Sequence, residues 1–148
     1  MSRLQLALNV PDVDAAVAFY SKLFATEPNK RKPGYANFAI ADPPLKLVLF
    51  ENADAEHRLN HLSVEVMSAG EVAAHQARLN ADGVETVEEN GRCCFANQEK
   101  VWIDGPDGAW EIYTVLEDTD GFGVSSTHVE GEDSLCCASV PEAEARCS

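Results

Sequence analysis

The chain has 148 residues, of which 45% are hydrophobic and 24% charged, a balance typical of a soluble globular protein with a single core. Its formal charge of -14 makes nucleic acids and anionic membrane surfaces unfavourable partners, so we expect neither. No apolar run approaches the roughly 20 residues that cross a bilayer, and no signal peptide opens the chain, so we predict a cytoplasmic protein. Its five cysteines are then expected to be thiols for metals or chemistry rather than structural disulfides.

The first half of the chain predicts a strand, a helix and two or more further strands. Residues 4–10 alternate in polarity and are followed by Pro11-Asp12, a turn that also caps a helix. Apolar residues recur at helical spacing over 12–24. Prolines then break the helix, and 35–40 and 45–50 read as strands.

The second half repeats this order. A shift of 56 positions aligns Gln5 with His61 and matches the apolar pattern of the strand at 59–66. Ser68 and Glu71 form a capping box for a second helix, which stops near Gly83. We predict strands around 93–96, 100–104 and 110–116, with a hairpin turn at 104–108 between the last two. Residues 97–100 are predicted to be a polar turn, either a plain hairpin loop or a lid over bound substrate.

Glu111 is the polar residue with the strongest chemical implication. Its neighbours are apolar, which indicates a buried strand where an unpaired carboxylate would be costly. A bound metal would satisfy its charge, and so would a lysine or arginine. His61, taken alone, is more often an ordinary hydrogen-bonded histidine than a metal ligand.

Cys93 and Cys94 are adjacent thiols that could jointly hold a soft centre such as trivalent arsenic or cadmium. Successive side chains of a regular strand point to opposite faces, so joint binding requires a bulge or loop, which the preceding Asn90-Gly91 favours. The alternative is that they are two small buried residues at the start of a strand.

The repeated halves, with a polar residue in each first strand and the glutamate after Gly105-Pro106-Asp107-Gly108, resemble the vicinal oxygen chelate superfamily. The resemblance implies an α+β fold, in which two βαβββ modules, at about 1–55 and 58–118, form a cupped mixed sheet around a divalent metal. It also implies that Gln5, His61 and Glu111 are the metal ligands. Gln5 departs from the commoner two-histidine pattern, and its amide oxygen is a weaker donor than imidazole, so looser metal binding should follow.

Within that superfamily, the runs 34–49, 59–62 and 93–96 resemble the organoarsenical carbon-arsenic lyases and the related cadmium-induced proteins. This resemblance implies that Cys93 and Cys94 hold the arsenic of a trivalent methyl- or aryl-arsenical while iron(II) activates dioxygen. Arsenite would be released, together with a carbonyl or a phenolic fragment. The alternatives are a non-catalytic protein that binds cadmium or arsenite, and another dioxygenase of the superfamily acting on a catechol or a glutathione adduct.

Residues 119–148 are acidic and lack apolar periodicity, which predicts a disordered tail after a domain at 1–118. The tail holds Cys136, Cys137 and Cys147. These could deliver thiophilic species to Cys93 and Cys94, although incidental exposed thiols explain them equally well.

Overall fold

The structure, a computed structural model, describes residues 1–120, which form two helices and a sheet of nine strands. In chain order the elements are β1 (Arg3–Val10), α1 (Val13–Leu23), β2 (Lys30–Lys32), β3 (Tyr35–Ile40), β4 (Leu45–Glu51), β5 (Leu59–Glu65), α2 (Ala69–Ala81), β6 (Val87–Glu88), β7 (Gly91–Cys93), β8 (Ala96–Gly105) and β9 (Gly108–Asp118). The predicted order of a strand, a helix and further strands occurs twice.

The sheet is mixed, and its strand order shows the two modules. The order is β2-β3-β4-β1-β5-β9-β8-β6, with β7 paired to β8. In each module the first strand runs parallel to the last, β1 with β4 and β5 with β9. The modules meet where β1 and β5 pair antiparallel, with Leu6 opposite Leu62. This arrangement confirms the α+β fold of two joined modules.

The two faces of the curled sheet have different chemistry because side chains alternate along each strand. One face is apolar: α1 covers it in the first module, where the core includes Val17, Phe38 and Leu49, and α2 covers it in the second, with Val72 and Ile112. The concave face carries the polar residues. The apolar face therefore stabilises the fold and leaves the concave face for a site.

Both helices begin at the predicted capping residues. The Asp12 carboxylate accepts a hydrogen bond from the Ala15 amide, and the Ser68 hydroxyl accepts one from the Glu71 amide. The Glu71 carboxylate reaches the amide of Met67, one residue earlier than in a regular capping box. Neither helix in the described part of the chain is long and apolar enough to cross a membrane.

The prediction for residues 93–100 is wrong in its register. The turn lies at Cys94 and Phe95, between β7 and β8, and the expected strand at 93–96 is this turn with its two flanking residues. Residues 97–100, predicted to be a plain loop or a lid, belong to β8 and pair with β9. Gln98 and Lys100 are buried, so the polarity that suggested a loop instead marks side chains that face the concave side.

Candidate active site

The concave face of the sheet encloses a cavity with a volume of about 160 Å³. Gln5 from β1, His61 from β5 and Glu111 from β9 all line it, and so does Cys94. Gln5, His61 and Glu111, which we call the donor cluster, are each at most 6% exposed. Gln5 and His61 share a face because the β1–β5 pairing is centred on Leu6 and Leu62, which places them symmetrically on either side of this pair.

Two potential metal-ligand atoms of the donor cluster, one from His61 and one from Glu111, face each other. His61 Nε2 lies 3.4 Å from Glu111 Oε2. On the other side of the ring, His61 Nδ1 lies 2.7 Å from the Asn60 side-chain oxygen, and the Asn60 nitrogen donates to Asn9. Because that oxygen can only accept, the Nδ1 atom carries a proton, and Nε2 is the ring nitrogen that faces Glu111.

A chain of hydrogen bonds orients the rest of the donor cluster. The Tyr113 hydroxyl donates to Gln5 Oε1 at 2.5 Å, and Gln5 Nε2 donates to the Ser63 hydroxyl at 3.1 Å. Ser63 in turn donates to Glu111 Oε2 at 2.7 Å. Ser63 and Tyr113 stand two residues beyond His61 and Glu111 on the same strands. Strand periodicity alone could have predicted them as supports of the site.

Lys100 is the main residue that the sequence analysis missed. Its ammonium lies 2.7 Å from Glu111 Oε1, and its side chain is 1% exposed. Burial alone would raise the pKa of Glu111, but the Lys100 charge and the hydrogen bonds from His61 and Lys100 hold it well below its usual range. Burial likewise favours a lower pKa for Lys100, yet Glu111 keeps it above its ordinary value. The pair is therefore ionised, and the expectation that a lysine could satisfy Glu111 is met.

Cys93 and Cys94 lie at the tight turn between β7 and β8, which we call the thiol turn (residues 93–96). Cys94 and Phe95 have positive φ values of 52° and 67°, in the left-handed region that costs about 1–2 kcal/mol per residue without glycine. Cys94 thereby leaves regular strand geometry, and the two sulfur atoms lie 3.2 Å apart. Cys94 is a free cysteine, whereas Cys93 is disulfide-bonded, so the prediction of a free thiol is wrong for Cys93 in this structure. Burial raises the pKa of Cys94 to about 12, against the opposing effect of Lys100.

The thiol turn reaches across the concave face to the first module. The Phe95 ring packs on Tyr35 with centroids 5.0 Å apart. Lys30 Nζ donates to the Phe95 carbonyl at 2.9 Å and to the Asp118 carboxylate at 2.6 Å. These contacts hold Cys94 against the cavity that the donor cluster lines.

The donor types of the cluster suit a divalent metal. Glu111 Oε1 is engaged by Lys100, so Oε2 is the oxygen that faces His61. The Gln5 amide oxygen has a second lone pair besides the one that accepts from Tyr113. Within residues 1–120, no group of three or more His, Cys, Asp and Glu side chains is placed to hold a metal. A metal bound in this cavity would therefore need the Gln5 amide as its third donor. One imidazole, one carboxylate and one amide form a mixed N/O donor set of the kind that binds iron or manganese.

The proposed roles of Cys136, Cys137 and Cys147 fall outside the described residues, as does nearly all of the predicted disordered tail. The donor cluster and Cys94 lie together in one cavity, and Cys93 adjoins it through its sulfur contact with Cys94. Trp102 stands between the two groups, since its ring packs against Cys93 and meets the His61 ring edge-on at 5.1 Å.

Comparisons with known proteins agree with this architecture. The chain is 59% identical over 142 residues to the cadmium-induced protein CadI of Mycobacterium tuberculosis, covering 93% of each chain. It is 54% identical over 140 residues to a trivalent organoarsenical cleaving enzyme of Thermomonospora curvata, covering 93% of this chain and 89% of that one.

Among solved structures, the Mn(II)-bound glyoxalase of Novosphingobium aromaticivorans superposes with a TM-score of 0.57 at 21% identity, over 85% of this chain and 44% of that one. This likeness concerns the fold alone. The family model for the Glyoxalase/Bleomycin resistance protein/Dioxygenase superfamily matches residues 3–125. The chain therefore belongs to the glyoxalase, bleomycin resistance protein and dioxygenase superfamily.

Proposed function

We propose that the protein is an enzyme that cleaves the carbon-arsenic bond of trivalent methyl- or aryl-arsenicals, using iron(II) and dioxygen, and releases arsenite. The observation that carries this proposal is that Cys94, in contact with Cys93, lines the same cavity as Gln5, His61 and Glu111. The similarity to an organoarsenical cleaving enzyme at 54% identity supports an enzymatic activity of this kind.

The thiol turn would capture the arsenic. Because Cys93 is disulfide-bonded in the structure, an external thiol would first reduce it to the thiol. An arsonous acid would then condense with the two thiols, so that two As–S bonds form, two As–OH bonds break and each thiol proton leaves in a molecule of water. The 3.2 Å separation of the two sulfur atoms suits a single shared centre. Because the arsenic is then fixed beside the cavity, its organic group is confined near the donor cluster, which lowers the entropic cost of the reaction.

Gln5, His61 and Glu111 would hold the iron. A bound ferrous ion supplies the capacity to activate dioxygen. Asn60 orients the His61 ring, and the chain through Tyr113 and Ser63 orients the amide and the carboxylate. For a methyl substrate, one methylarsonous acid and one dioxygen balance one arsenite and one formaldehyde. Release of a phenol from an aryl substrate needs two further electrons and two protons, which an external thiol can supply.

Replacing both Cys93 and Cys94 with serine should abolish arsenite release while sparing iron binding. The measurement is arsenic speciation after aerobic incubation of the reduced, iron-loaded protein with methylarsonous acid. The matched control is Cys136→Ser/Cys137→Ser, which removes two cysteines elsewhere and should keep full turnover at saturating substrate. Full activity in the Cys93/Cys94 variant would refute the role of the thiol turn.

A second candidate is a non-catalytic protein that binds cadmium or arsenite through the same thiols. The 59% identity to a cadmium-induced protein favours it. A binder needs thiolates only, whereas the proposed enzyme also needs iron and oxygen. Release of arsenite in air but not under nitrogen would show that the protein is an oxygen-dependent enzyme. Bound but uncleaved methylarsenic under both conditions would decide for the binder.

A further inference from the structure

The cavity carries a positive charge that the rest of the molecule does not. The whole chain has a formal charge of -14. The charged side chains that line the cavity are four cations and three carboxylates, namely Arg3, Lys30, Lys46, Lys100, Glu65, Glu111 and Asp118. One positive charge is therefore in excess there, before any metal is added, so the cavity favours anionic groups.

The excess positive charge lies among the charged residues that remain once two close ion pairs are set aside. Lys30 pairs with Asp118 and Lys100 with Glu111, at 2.6 and 2.7 Å. The remaining charged groups are Arg3, Lys46 and Glu65, which we call the basic end of the cavity.

Within the basic end, Lys46 is the cation with the weakest partner. Arg3 Nε forms an ion pair with Glu65 Oε2 at 2.5 Å. Lys46 Nζ lies 4.0 Å from the other carboxylate oxygen, Oε1, which is too far for a hydrogen bond. The Lys46 ammonium also lies over the face of the Tyr113 ring, 5.3 Å from the centroid. The Lys46 side chain is 14% exposed, and burial lowers its pKa despite the opposing charge of Glu65. A poorly compensated, largely buried ammonium is costly and is stabilised by an anionic ligand.

The basic end lies beside the donor cluster, because Lys46 is the neighbour of Gln5 in the sheet register. Along β4 the side chains that line the cavity are Phe50, Val48 and Lys46. Phe50 packs on Tyr35, which also contacts Phe95 of the thiol turn. Lys46 is four residues further along, about 13 Å at the usual strand rise, and stands beside Gln5 in the sheet register.

An organic group bound at the thiol turn and directed into the cavity would therefore approach both the donor cluster and Lys46, which line the same cavity. The cavity volume of about 160 Å³ is of the size that accepts a single benzene ring. A substituent on the far side of such a ring, opposite the arsenic, would point to the basic end.

We propose that Lys46 and Arg3 form a specificity subsite for an acidic substituent, such as a carboxylate, on the ring of an aryl arsenical. This inference rests on the proposed function, because it takes the arsenic to be held by Cys93 and Cys94. It assigns to Lys46 a role in selecting the organic group and no role in the chemical step.

The test compares two ligands that differ only at the substituent. Metal-free, reduced protein is titrated with 4-carboxyphenylarsonous acid and with 4-methylphenylarsonous acid. Binding is followed by the fluorescence of Trp102, which packs against Cys93. We expect the carboxylate to bind roughly tenfold more tightly to the unmodified protein, as one partly buried charge-assisted contact would give.

Lys46→Met should abolish this preference and leave the affinity for the methyl compound unchanged, which also reports that the variant is folded. Lys46→Arg should keep the preference, and so should Lys22→Met, which removes an exposed lysine from α1. Equal affinities in the unmodified protein, or a preference that survives in Lys46→Met, would overturn the inference and leave arsenic capture by the thiols intact. Failure of both compounds to bind the unmodified protein would remove the proposed function itself.

Discussion

Lys100 balances the charge of the buried Glu111 carboxylate in the metal-free protein. The Glu111 carboxylate is 3% exposed, and such a charge needs a cation close by. In the metal-free protein Lys100 supplies it, at one carboxylate oxygen, while the other oxygen faces His61. A divalent ion held by His61 and Glu111 would supply a second and stronger source of positive charge at the same carboxylate.

Lys100→Met should destabilise the metal-free protein by about 3–5 kcal/mol, because it leaves a buried carboxylate without its cation. A divalent ion would replace the missing charge, so adding iron(II) should raise the melting temperature more in this variant than in the unmodified protein. Thermal unfolding with and without iron(II), under nitrogen, measures both effects. Lys100→Arg retains the charge and serves as the control. An equal metal-induced rise in Lys100→Met and the unmodified protein would contradict the account.

At the scale of elements, the β7–β8 hairpin decides where the thiols lie. Its turn places two residues other than glycine in the left-handed region, so contacts elsewhere must hold it. The Phe95 carbonyl receives hydrogen bonds from Lys30 Nζ and from the Thr119 amide, at 2.9 and 2.8 Å. Lys30 lies on β2, in the other module, so the thiol turn joins the two ends of the curled sheet.

Lys30→Met should loosen the thiol turn. Loss of the hydrogen bond to Phe95 and of the pairing with Asp118 should cost about 1 kcal/mol, which corresponds to a roughly fivefold rise in KM for the arsenical. Amide hydrogen exchange at residues 93–96 should accelerate, while iron affinity should stay unchanged because no donor atom is touched. Lys22→Met is the matched control. Unaltered exchange in the thiol turn of Lys30→Met would show that the turn is held by other contacts.

The same hairpin shows what the sequence could and could not predict. The internal repeat places Gln5 and His61 at matching positions of the two first strands, and in the structure both line the cavity because β1 and β5 pair. The position of the turn is not local: it depends on Tyr35 and Lys30, which are some 60 residues away. A signal for β8 was present, since Gln98, Lys100 and Trp102 alternate with apolar Val101 and Ile103. The strand predicted at 100–104 lies within β8, but the first half of β8 was missed because the polar residues at 97–100 were taken to indicate a turn.

At the scale of the whole molecule, the site exists only because two modules share one sheet. The first module contributes Gln5, Arg3 and Lys46, and the second contributes His61, Glu65, Glu111 and both cysteines of the thiol turn. The two-module organisation followed from the internal repeat, and the strand pairing shows the same order of elements twice. The Lys100–Glu111 pair and the packing of Phe95 on Tyr35 could not be predicted, because each depends on how far the completed sheet curls.

The most direct test of the whole account is a crystal structure of the iron-loaded protein with an aryl arsonous acid under nitrogen, with anomalous scattering recorded at the arsenic and iron edges. We predict an arsenic peak bonded to both sulfur atoms of Cys93 and Cys94, and an iron peak at Gln5, His61 and Glu111 in the same cavity. Arsenic bound away from that cysteine pair, or iron bound away from those three side chains, would contradict it.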